Sequence, residues 1–67
     1  NWMAQNNSII GKLVKIIYDD GHDSPAPKKG IVANSDEDFV YIKNEKGVLE
    51  GLLKSRIIRI EVLENEH

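Results

Sequence analysis

Five consecutive residues, Asp19, Asp20, Gly21, His22 and Asp23, put three carboxylates and an imidazole side by side. Oxygen-rich loops bind calcium or magnesium, and an imidazole suits transition metals. The stretch lacks the spacing of a calcium loop, however, and turns select Asp and Gly for conformation alone. A solvated turn is therefore expected, with no metal and no cofactor. Catalysis is not expected either. The chain has no cysteine, and its two histidines are His22 and His67. Ser8, Ser24, Ser35 and Ser55 have no evident base partner and no nucleophile-elbow glycines.

Binding chemistry is better represented. Lys28-Lys29 and Lys54-Ser55-Arg56 are the basic spots, and Asp36-Glu37-Asp38 is an acidic one. The net charge of −2 argues against a domain held to nucleic acid by bulk charge. A local basic turn is a different matter. Repeated by symmetry in an oligomer, the charges of Lys54 and Arg56 become a ring able to track a phosphate backbone. The competing reading is a solvated turn with the Arg56 stem lying over the core. Phe39 and Tyr41, two apart on one strand face, have rings that stack on bases. In a chain with four aromatic residues they are expected to serve the core instead.

These groups need elements to position them. Sixty-seven residues make one domain, and a chain of that length buries only about 60% of its unfolded surface. With no cysteine to staple it, stability must come from packed aliphatics or from an oligomer. The central stretch is 30–42, GIVANSDEDFVYI. It reads as a β run at 31–33, an acidic turn at 34–38 and a β run at 39–42. Upstream, 9–18 is a strand with Val14, Ile16 and Tyr18 on one face and Leu13, Lys15 and Ile17 on the other. The segment 19–29 is expected to be a projecting loop, because Pro25 and Pro27 cannot serve a central strand. Downstream, 43–47 is a turn closed by Gly47, 48–53 a strand, 54–56 a tight basic turn and 57–63 a strand. In that last strand Ile58, Ile60 and Val62 are expected inward, Arg59 and Glu61 outward. The 1–8 segment is read as a flexible arm or one helical turn, and 64–67 as a flexible tail. Five short strands of this size fit an all-β, strongly bent small barrel spanning 9–63. No apolar run is long enough to span a bilayer, so no membrane partner and a cytoplasmic location are expected.

The pattern resembles a family. Gly30, Val32, Asp36, Phe39, Val40 and Tyr41 are spaced like the first motif of the Sm/Lsm proteins. Leu52-Leu53-Lys54-Ser55 followed by Ile58 resembles their second motif, and Gly11-Lys12 with Val14, Ile16 and Asp20-Gly21 their first strand and turn. The Phe39-Val40 pair is similar to the bacterial Hfq branch. The resemblance covers 10–62 and implies an Sm-like or SH3-like barrel that forms a homo-oligomer by pairing edge strands and binds RNA. Carried over by position, the implied RNA contacts are Asp38, Phe39, Val40, Lys54, Ser55 and Arg56. The sequence departs from the family where it matters most. Val40 stands where the family has an RNA-contacting Asn, Asp38 where it often stacks a side chain, and Lys54-Ser55 where it has Arg-Gly. The implied subunit contacts are Val48, Leu49, Ile57, Arg59 and Leu63, with Ile57 and Leu63 turned away from the core. Two rival readings remain: a regulatory barrel with a protein partner and no nucleic acid, and a structural accessory oligomer.

Overall fold

The computed structural model describes residues 9–63. The arm expected at 1–8, with its helical turn, and the tail expected at 64–67 lie outside the described residues. Five antiparallel strands form one sheet: β1 (Leu13–Tyr18), β2 (Ala26–Ser35), β3 (Phe39–Lys43), β4 (Leu49–Leu53) and β5 (Ile57–Val62). Their order across the sheet is β4-β3-β2-β1-β5. The all-β, five-stranded expectation holds. Closure does not: the sheet is not closed into a barrel, and β4 and β5 are its two edges.

The period-two pattern fixes which face is buried. Val14 and Ile16 of β1, Val32 of β2, Val40 and Ile42 of β3 and Leu52 of β4 form the core. All are aliphatic, and no polar or charged side chain among the described residues is buried. Ile9, Tyr18, Ile57 and Ile60 pack around the cluster. The hairpin between β3 and β4 closes as expected at Gly47, whose φ of +82° is readily available only to a residue without a Cβ.

Gly30 marks a close approach of β2 to β3. A Cβ there would stand 2.7 Å from the Lys43 carbonyl oxygen and 3.3 Å from the Ile42 Cβ. Two residues further on, the β2–β3 register shifts between Val32 and Asn34. Such bulges bend a strand and increase its twist.

Four expectations about the elements are corrected. The first strand begins at Leu13, because 9–12 is a turn: the Lys12 N–H donates to the Ile9 carbonyl at 3.0 Å and the Gly11 N–H to the Val32 carbonyl at 2.8 Å. The projecting loop is shorter than 19–29, since β2 starts at Ala26 and takes in Pro27. Proline is tolerated there because β3 flanks β2 only from Ile31 onward, so this half of β2 is flanked by β1 and not by β3. In β5 the face pattern is reset by a bulge. Ile17 pairs with Arg59 but Tyr18 pairs with Ile57, which leaves Ile58 extra. Ile58 is therefore 60% exposed, not inward, and Ile57 turns to the core, not away from it. Phe39 and Tyr41 lie on the face opposite Val40 and Ile42 and are only half-buried, so they do not serve the core.

Candidate functional site

Lys54–Arg56 forms one turn of 3-10 helix joining β4 directly to β5. Three hydrogen bonds fasten it to other parts of the chain. The Lys54 N–H donates to the Asp38 carbonyl at 2.8 Å, and the Asp19 N–H donates to the Arg56 carbonyl at 2.9 Å. The Tyr18 hydroxyl accepts from the Leu53 N–H at 3.2 Å. The turn is thus tied to the β2–β3 elbow and to the end of β1. Its backbone is fixed, while Ser55 and Arg56 are exposed and Lys54 half-buried. The Arg56 head reaches toward the β1–β2 loop: its Nη1 comes to within 4.0 Å of the point where a Gly21 Cβ would stand.

The acidic elbow is built around one carboxylate. Asp36 Oδ1 accepts from the Phe39 N–H at 2.7 Å and from the Asp38 N–H at 2.9 Å, and Oδ2 accepts from the Tyr41 hydroxyl at 3.2 Å. The bonds from Phe39 and then Asp38 hold the Asp36 carboxyl below its ordinary value, with smaller help from Tyr41 and the Lys54 charge. Desolvation first, then its bond to Asp36, raises the Tyr41 phenol. A short acidic stretch between two β runs folds locally in this way because an Asp side chain can imitate the missing backbone acceptors of a turn.

Of the residues implied as RNA contacts, Asp38 and Lys54 are brought together by their backbone bond, with Ser55 and Arg56 beside them. Lys54 and Val40 also line one groove of about 340 Å³, together with Ile9, Glu37, Ile57 and Ile60. Val40 is only 2% exposed and belongs to the core, so it adds apolar floor and no polar group. Phe39 is on the other face of the sheet, where its ring stacks on Tyr41 with centroids 5.8 Å apart and planes 28° from parallel. Tyr41 pairs directly with Gly51 on β4, and its ring lies over that position, 3.1 Å from where a Cβ would be. An aromatic ring laid across a strand glycine stabilises the strand.

Among the implied subunit contacts, Val48 and Leu49 are exposed at the β4 edge, and Leu63 is exposed just beyond β5. Arg59 is exposed and paired with Glu61 at 2.7 Å. Ile57 is the exception, being turned inward. Among the described residues, no three His, Cys, Asp or Glu side chains converge to hold a metal ion. No helix among them is long and apolar enough to cross a membrane.

One set of residues escaped the reading by motif. Lys15, Lys29 and Lys43 share the outer face with Phe39 and Tyr41, because each alternates with a core-facing residue. The signal was present in the period-two pattern, but the three lysines are spread over three strands and no short motif contains them.

No protein-family model, curated protein or solved structure matches this chain.

Proposed function

We propose that this protein is a non-catalytic, Sm-like RNA-binding subunit that assembles head to tail into a ring or another homo-oligomer. One observation carries the reading. The sheet is open, and its two edges both carry exposed apolar side chains: Val48 and Leu49 at β4, Ile58, Val62 and Leu63 at β5. Two different edges that each want cover suit a heterologous contact, in which β4 of one copy pairs with β5 of the next. Such pairing would also extend the sheet. The Lys54–Arg56 turn sits between the two edges, so each copy adds its cations to the same part of the assembly. Contact with phosphate there is electrostatic, with no chemistry on the RNA. The likeness of 30–42 to the first Sm/Lsm motif is what points to RNA as the ligand.

The rival is a barrel-like module that adds a strand from a protein partner at one of these edges. The net charge of −2 and the apolar Val40 favour it. Light scattering on a sizing column separates the readings, combined with fluorescence titration of labelled oligo-U and oligo-A. The proposal expects a mass that is a multiple of 7.6 kDa and binding that weakens with salt. A monomer that ignores both oligonucleotides at low salt overturns it.

A further inference from the structure

The outer face of the sheet has a composition unlike the rest of the molecule. Lys15 and Lys29 are direct partners across β1 and β2, and Lys43 of β3 is the direct partner of Ile31, two residues after Lys29 on β2. Lys29, Lys43, Leu13, Ile31, Asn44 and Glu45 line a shallow groove of about 290 Å³. None of the three lysines makes an ion pair among the described residues. Two like charges placed directly opposite cost stability in a sheet; on its other side Lys15 stands directly opposite Glu61 of β5. The carboxylates near them are Glu45 and Glu61, and Glu61 is already taken by Arg59.

Along β3 the same face carries Phe39, Tyr41 and Lys43 in sequence, about 7 Å apart. The stacked rings are half-exposed over the side-chain-free Gly51. Cations beside exposed rings are what an extended single strand of nucleic acid needs: phosphates take the cations and bases lie on the rings. An acidic peptide would use the lysines but have no use for the rings. Asp36 and Asp38 stand at the ring end of the row and would repel phosphate, which sets the backbone over Lys43, Lys29 and Lys15 and leaves only bases over Phe39 and Tyr41.

From this arrangement we infer that the outer face, and not the basic turn alone, is a binding surface for single-stranded RNA. The inference rests on the RNA reading above and gives it a second, separate surface. Bases stack on Phe39 and Tyr41, and the backbone crosses β3, β2 and β1 along Lys43, Lys29 and Lys15.

The test is fluorescence anisotropy of the full chain with labelled oligo-U and oligo-A of about 16 nucleotides, from about 50 to about 200 mM salt. Three variants are compared with the parent chain: K15Q/K29Q/K43Q, F39L/Y41L and K54Q/R56Q. The lysine variant is expected to bind about tenfold or more weakly and to lose about 2 from the salt slope, at about 0.7 per phosphate contact. The ring variant is expected to lose about tenfold with its slope unchanged. Should the ring variant fail to fold, the lysine variant, whose side chains lie outside the core, still decides the matter. Unchanged binding by the lysine variant, with loss in K54Q/R56Q, overturns the inference and leaves the RNA reading standing. If the parent chain binds neither oligonucleotide at the lower salt, the RNA reading falls and this surface with it. Polyglutamate displacing the probe as readily as unlabelled oligo-U, with full binding by the ring variant, would make the face a site for acidic protein and also overturn the inference.

Discussion

The two faces of this sheet are made from the same strands by alternate residues, yet they follow different rules. The inner face is aliphatic wherever it is buried, completely so at Val14, Ile16 and Ile42, with Tyr18 packed at its rim. The outer face carries both of the β3 aromatic rings, the Arg59–Glu61 ion pair and three lysines that make no ion pair among the described residues, and most of it is in contact with water. The inner face therefore answers to packing, where volume is everything. The outer face answers to charge and to what is laid on it. A substitution's effect should depend first on which face it falls on, and only then on its chemistry.

The hardest test of that contrast is Ile42→Ala. Ile42 is fully buried, in the middle of the cluster, next to the Gly30 contact. Truncating such a residue typically costs about 2–5 kcal/mol. In a domain this small that is most of the available stability, so urea melts of the variant should show little or no folded baseline. A loss under about 1 kcal/mol would mean that the inner face is not the core.

Gly30→Ala comes next. The added methyl would stand 2.7 Å from a backbone oxygen of Lys43, which cannot swing away as a side-chain tip could. Overpacking of this kind costs about 1–3 kcal/mol, readable as a lowered urea midpoint with an unchanged slope. Alanine at Gly51 faces the Tyr41 ring rather than backbone, and that ring can tilt. Its cost should be clearly smaller, although both are strand glycines.

Much of this was legible in the residues. The strand count, the inward parity of Val14, Ile16 and Val32, and the hairpin turn at Gly47 follow from period two and from where glycine falls. What was not legible has a shared physical cause. Register shifts are invisible to a pattern that assumes unbroken alternation, and the β1–β5 bulge exchanged the roles of Ile57 and Ile58. Pro27 looked like a strand breaker because its place in a half-flanked stretch of β2 depends on where β3 ends, which is a property of the whole sheet. Phe39 and Tyr41 looked like core by their size. Two smaller β-branched residues, Val40 and Ile42, took the inner positions and left the rings outside. The site was legible only in part. The basic turn announces itself as three adjacent residues, whereas Lys15, Lys29 and Lys43 become neighbours only once the strand order and register are known.

Acid should act on the elbow between the faces through one carboxyl, that of Asp36. In the folded chain the Asp36 carboxyl is held below its ordinary value of 3.8, chiefly by the Phe39 N–H and then by the Asp38 N–H. The stability it adds is complete above that ordinary value and is lost as pH falls through the lower, folded value. Asp36→Asn keeps an acceptor oxygen but loses the charge. The variant should be less stable than the parent at neutral pH, by less than Gly30→Ala, and the gap should close in acid. At the other end the Tyr41 phenol, raised above 10.0 by desolvation and by Asp36, makes the folded state hold its proton longer than the unfolded state does. Stability should therefore decline as pH climbs past 10.0, and Tyr41→Phe should remove that decline. Thermal melts across the pH range check both ends, and parallel curves for parent and variants would contradict the elbow's role.

The smallest effect on stability comes from Lys29→Glu, and it is the sharpest probe of the outer face. Lys29 is exposed and stands directly opposite Lys15. Exchanging its charge turns a repelling cross-strand pair into an attracting one, which should raise stability by a few tenths of a kcal/mol, within the range of about 0.2–1 for such pairs. On the inner face no substitution of a charge could do this, because there burial outweighs pairing. Binding should move the other way. The same exchange removes a cation from the proposed RNA path and adds an anion, so affinity for oligo-U should fall while the melting temperature holds or rises. A residue kept for the fold would lose both together. Opposite movement of the two quantities would mean that Lys29 is retained against the fold's own preference, for something that binds there.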